Sequence, residues 1–204
     1  MPALLAFALL ACVHPAPPTP PGPDEDACVA MLDEALKGMD AEPAKADAAF
    51  ADGYSKCGPG FGFLEARTFV SFAASRWDEG GEYLAKVMTE PDPSPLALKL
   101  VAGAMPKFSP ATQTRLRALG KTADAPVFVP DVGSEYAWVS LVSCGVADKI
   151  PADQALIEGP KGSLDRLTFN CPGAVERQAI YFDFSSDPME RAFKQELNGQ
   201  KKAK

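Results

Sequence analysis

The chain reads as α+β: α-helical hairpins come first, followed by a small antiparallel β-rich domain with a closing C-terminal helix. Three observations predict this class. Apolar residues recur at helical spacing from Ala27 to Leu119, whereas after Gly120 they gather in short runs rich in β-branched and aromatic residues. Clusters of Pro and Gly punctuate both parts where elements must end. The composition, 47% hydrophobic and 23% charged over 204 residues, is that of a globular protein large enough to bury a core.

The elements follow in order. Ala3 to Ala11 is an apolar run too short for a bilayer, which takes about 20 residues, but of the length of an export signal. Val13 to Asp26 is proline-rich, a stretch of polyproline II that reaches roughly 40 Å. Cys28, Met31, Leu32, Ala35, Leu36 and Met39 then mark a first helix over Ala27–Met39, broken by Gly38, Asp40 and Pro43. A second helix, Ala44–Lys56, presents Ala46, Ala49, Phe50 and Tyr54 and stops at Cys57-Gly58-Pro59-Gly60. With so short a connection the two form an antiparallel hairpin. Phe63, Leu64, Ala66, Phe69, Val70 and Ala73 make one further helical face, and Gly80, Leu84 and Val87 another. Pro95–Ala104 and Pro110–Leu119 form a third pair that caps the stack.

Past Gly120, Pro126-Val-Phe-Val-Pro130 reads as a rigid connector. Strands are expected over Tyr136–Cys144, Gln154–Glu158, Leu164–Cys171 and Gln178–Phe184, with turns at Pro160-Lys161-Gly162 and Pro172-Gly173. The helix Pro188–Leu197, capped by Ser185-Ser186-Asp187, puts Met189, Ala192, Phe193 and Leu197 on one side to cover the sheet.

Two motifs resemble known families. Leu9-Leu10-Ala11-Cys12 resembles the lipobox of bacterial lipoproteins. That resemblance implies cleavage before Cys12, a diacylglycerol on its sulfur, and an envelope location; Val13 rather than Asp after the cysteine implies the outer membrane. Arg76-Trp77-Asp78-Glu79-Gly80, Leu84 and Val87, closing at Pro91-Asp92-Pro93, resemble the second helix and exit of a tetratricopeptide repeat, and a period of about 34 residues back lie Ala46, Phe50 and Gly53. The organisation expected is a signal peptide at 1–11, a lipidated cysteine and tether at 12–26, a tetratricopeptide-like helical domain at 27–122 and a small α+β domain at 123–204. With Cys12 lipidated, four of the five cysteines remain: Cys28, Cys57, Cys144 and Cys171. In an exported chain an even set reads as disulfides. Of three possible connectivities, the antiparallel hairpin favours Cys28 with Cys57, which lie almost equally far from its turn, and leaves Cys144 with Cys171.

Chemistry is sparse. The lone histidine, His14, sits in the tether, where it cannot serve a buried nucleophile. Ser-His-Asp and Cys-His mechanisms and a histidine-ligated zinc therefore have no base or ligand to draw on. Gly58-Pro-Gly60-Phe-Gly62 lacks the Lys-Ser/Thr ending of a phosphate loop. A net charge of −7 argues against nucleic acid and against broad adsorption to anionic lipid. The basic tail Lys201-Lys202-Ala203-Lys204 reads as a solubilising end, and Asp183, between Phe182 and Phe184, points outward by strand alternation. No metal site, cofactor or catalysis is expected. The function expected is a lipid-anchored envelope module that binds a protein or peptide partner, with Tyr54, Trp77, Tyr83, Tyr136 and Trp138 as candidate contacts. The alternative is a hydrolase of envelope glycan, whose sign is two carboxylates about 5–9.5 Å apart in a cleft.

Overall fold

A computed structural model of the chain describes residues 24–91, 93–160 and 162–183. The export signal, Cys12, most of the tether and the closing helix expected over 188–197 lie outside the described residues. Within them the class is as the sequence predicts, seven α-helices and one four-stranded sheet.

Helix α1 (Glu25–Lys37) starts at Asp24, whose carboxylate accepts the Ala27 N–H at 3.3 Å, and Glu25 and Asp26 occupy the first turn, where the helix dipole favours negative charge. Helix α2 (Pro43–Cys57) opens on a proline, whose absent N–H is one of the donors a first turn leaves unpaired in any case. The two pack as a hairpin, and a disulfide joins Cys28 and Cys57 at its open end. Helices α3 (Phe63–Ala73) and α4 (Trp77–Val87) continue the series, each packing on the one before. Close approach at these contacts depends on glycine. A Cβ at Gly53 would lie 2.3 Å from the Phe63 ring, and one at Gly80 would lie 2.4 Å from Phe72. Helices α5 (Pro95–Ala104) and α6 (Pro110–Ala118), joined by the 3₁₀ turn Met105–Lys107, both pack against α4. Asp78 on α4 accepts the Ser109 N–H at 2.8 Å, and Glu82 pairs with Arg115 of α6.

One expected strand is a helix. Tyr136–Cys144 folds as the end of α7 (Val132–Ala137) and a π-helical segment, Trp138–Cys144. Its aromatic and β-branched residues favour a strand locally, but burial at Glu135, Trp138, Val139 and Val142 follows a helical face, and tertiary packing prevails over propensity. Both boundaries were signalled: Asp131 accepts the Ser134 N–H at 2.7 Å to cap the start, and Gly145, at φ +68°, ends the segment in the left-handed conformation.

The sheet has the order β1-β4-β3-β2, where β1 is Val127–Phe128, β2 Ala152–Gly159, β3 Gly162–Phe169 and β4 Gln178–Asp183. β2 pairs antiparallel with β3 (Leu156 opposite Asp165) and β3 with β4 (Leu167 opposite Ile180). The sheet is nonetheless mixed rather than wholly antiparallel. The segment read as a connector supplies β1, which runs parallel to β4 with Val127 opposite Phe182. Val127 and Val129 are fully buried, and the Phe128 N–H donates to the Met88 carbonyl just past α4, so this strand ties the helices to the sheet. The second disulfide, Cys144–Cys171, links the end of the π-helical segment to the residues after β3.

The main core crosses the boundary expected at 122. One buried cluster contains Leu84, Val101 and Leu116 from the helices together with Val127, Trp138, Leu167 and Phe182. A smaller cluster, built on Phe50, Phe63, Val70 and the Cys28–Cys57 bridge, lies under the first hairpin. Helix α3 contributes to both, Leu64 to the larger and Phe63, Ala66 and Val70 to the smaller.

Candidate functional site

The helical period on α4 sets Glu79, Tyr83 and Lys86 on one face, with Glu90 beyond the helix end continuing the line. Neighbouring helices complete it. Arg67 of α3 lies 4.2 Å over the Tyr83 ring and pairs with Asp47 of α2 at 2.8 Å, while the Tyr83 hydroxyl donates to Glu79 at 2.8 Å. Further along, Lys86 lies 4.1 Å over the Tyr54 ring, and the Tyr54 hydroxyl donates to Glu90. Each tyrosine is half-buried, with a cation over its face and a carboxylate on its hydroxyl. Such contacts contribute about 0.5–1 kcal/mol at exposed sites.

The electrostatics follow from the geometry. Partial burial first, then the bond to Glu79, pushes the Tyr83 phenol up to about 12. Tyr54 is raised further, again by burial first and then by Glu90. The Asp47 carboxylate raises Arg67 above the usual guanidinium value. The ledge thus presents two tyrosines that stay neutral near neutral pH, each beside a cation and a carboxylate.

The other candidate contacts lie elsewhere. Trp77 stacks on Phe72 at 4.8 Å, with Lys107 5.9 Å from its ring, near α6 rather than on the ledge. Tyr136 is half-buried beside Lys149 at 4.5 Å. Trp138 is fully buried in the main core and is no contact residue, because the strand that would have exposed it is a helix turned inward. The structure therefore brings Tyr54 and Tyr83 together and leaves Trp77, Tyr136 and Trp138 apart.

One carboxylate pair escaped the sequence reading. Gln154 of β2 donates its side-chain amide to Asp165 of β3, and the same nitrogen lies 3.5 Å from Glu135 of α7. Glu135 is 0% exposed and Asp165 is 4% exposed. Assigning 136–144 to a strand hid Glu135; a helix start at Asp131 would have turned it toward the sheet. Asp183, read as pointing outward, is half-buried at the end of β4 and lines a small cleft with Phe128 and Leu164. Among the described residues no three His, Cys, Asp or Glu side chains gather as metal ligands, and no helix is long and apolar enough to cross a membrane. No protein-family model, curated protein or solved structure matches the chain.

Proposed function

We propose that this chain is a lipid-anchored envelope protein that holds a protein or peptide partner on its stacked helical hairpins and performs no catalysis. The observation that carries this reading is the ledge along α4, where Tyr54 and Tyr83 stand half-exposed, each with a cation over its ring and a carboxylate on its hydroxyl. Rigid aromatic anchors of this kind dominate protein interfaces because little side-chain entropy is lost when they are covered. Sequential packing of α1 to α4 supports a tetratricopeptide-like reading, in which stacked hairpins present an extended binding surface. Two disulfides fit an oxidising compartment, such as an exported chain would meet. The hydrolytic alternative needs paired acids open to a polymer, whereas Glu135 and Asp165 are enclosed.

A photo-reactive phenylalanine analogue placed at position 83 in intact cells tests the reading, with the same analogue at exposed Glu25 as the control. One reproducible adduct from position 83 and none from position 25 is the expected outcome. The same adducts from both positions, or none from position 83, would count against a partner on the ledge.

A further inference from the structure

The acidic balance of the chain is not evenly distributed. Between Pro93 and Ala123 there are five basic residues, Lys99, Lys107, Arg115, Arg117 and Lys121, and no acid. Most of this stretch forms α5, the 3₁₀ turn and α6; Arg115 there is paired with Glu82 of α4, and Arg117 turns instead toward Val142. Against these elements lies a cleft of about 250 Å³, walled by Met105 and Pro106 on one side and by Leu141 and Val146 on the other. No acid is among its lining residues. Leu141 is 36% exposed there, although Trp138, Val139 and Val142 of the same segment are buried.

Arg117 stands at the rim. Its Nε donates to the Val142 carbonyl at 3.2 Å, and its terminal nitrogens meet no acceptor among the described residues. Gln113, which also lines the cleft, donates its amide nitrogen to the Phe108 carbonyl at 3.1 Å. The wall carrying Leu141 is the π-helical segment, pinned at its far end by Cys144–Cys171. A π-helix is a rare form that recurs at functional sites, because the wider turn displaces side chains from the regular helical positions.

We infer that this cleft binds an acidic peptide, with a carboxylate on the Arg117 fork and an adjoining apolar side chain against Met105 and Leu141. A guanidinium held by one nitrogen retains the paired donors that match a carboxylate. A lining that holds Arg117 and no acid favours an anion over a cation, and the cleft has room for one aliphatic side chain beside the anchor. The inference rests on the reading of the chain as a protein-binding module and names the chemistry of the segment bound.

The test uses the whole folded protein and the peptide amide Leu-Glu-Leu-Glu-Leu-NH2 labelled at its N-terminus with an uncharged fluorophore, with Leu-Gln-Leu-Gln-Leu-NH2 labelled alike as its uncharged counterpart, followed by anisotropy. Saturable binding of the acidic peptide is expected. Arg117→Gln should weaken it roughly tenfold or more, the loss of a charge-assisted pair, and added salt should weaken it in the native protein. Ala147→Glu, at an exposed position on the cleft wall, should do the same without touching the Val142 contact, and so serves if Arg117→Gln disturbs the fold. Equal binding of the two peptides, or binding unchanged in Ala147→Glu, would overturn the inference. An adduct on the α4 ledge in cells together with no peptide binding here would leave the broader reading standing and reject this cleft alone.

Discussion

Trp77 and Trp138 are the two tryptophans of the chain, and they show how differently one residue type can be used. Trp138 is fully enclosed, and Trp77 is half-buried against Phe72. Fluorescence separates them. A Trp77→Phe protein, left with Trp138, should emit toward the blue and resist iodide quenching, while a Trp138→Phe protein should emit further to the red and quench readily. Identical spectra from the two variants would contradict the burial described. The tyrosines of the ledge make a second prediction. Tyr83 ionises near 12 in the folded chain against 10.0 when unperturbed. Between those values the unfolded chain loses a proton that the folded chain keeps, so stability is full below about pH 10 and falls as pH rises toward 12. Tyr54 acts in the same direction. In urea unfolding at pH 9 to 12, Tyr83→Phe should flatten this decline; an unchanged slope would exclude Tyr83 as its source.

At the level of elements, the two disulfides stabilise different things. Cys28–Cys57 closes a loop of sequence separation 29 around the smaller cluster, and Cys144–Cys171, with separation 27, is attached to the main core. Either bridge is worth about 3–4 kcal/mol on loop-closure entropy. Replacing Cys28 and Cys57 with Ser should raise hydrogen exchange in α1 and α2 while the sheet stays protected. Replacing Cys144 and Cys171 should lower protection throughout the sheet and α7. A uniform response to either change would refute the separation of the two clusters. The pairing itself was legible, because two helices of similar length with a short turn leave their outer ends adjacent. The helices up to Leu119 were legible too, since the apolar period is 3.6 and Gly or Pro marks most ends. The run 136–144 was not, because Tyr, Trp and Val suit a strand, and only the caps at Asp131 and Gly145 argue for the π-helical form. Nor was β1 legible: a two-residue strand between prolines has too few positions for any period to show. The ledge was half legible. Tyr54 and Tyr83 stand out as aromatics, but Arg67 and Lys86 join them only through contacts between helices, which no local spacing reveals.

Across the whole molecule, helices and sheet share one support. The described residues form one continuous main core over helices and sheet, with the first hairpin stapled to it through α3. A scaffold of this kind keeps the α4 ledge and the α5–α6 cleft at set positions relative to each other. The central claim is export with lipid attachment at Cys12, since the oxidised cysteines and the anchored surface both depend on it. The most direct measurement is the intact mass of the protein extracted from membranes of the cells that make it. The account predicts a chain beginning at Cys12 that carries a diacylglycerol and lacks the four thiol hydrogens of two disulfides. An unmodified chain that retains residues 1–11 and carries free thiols would contradict it.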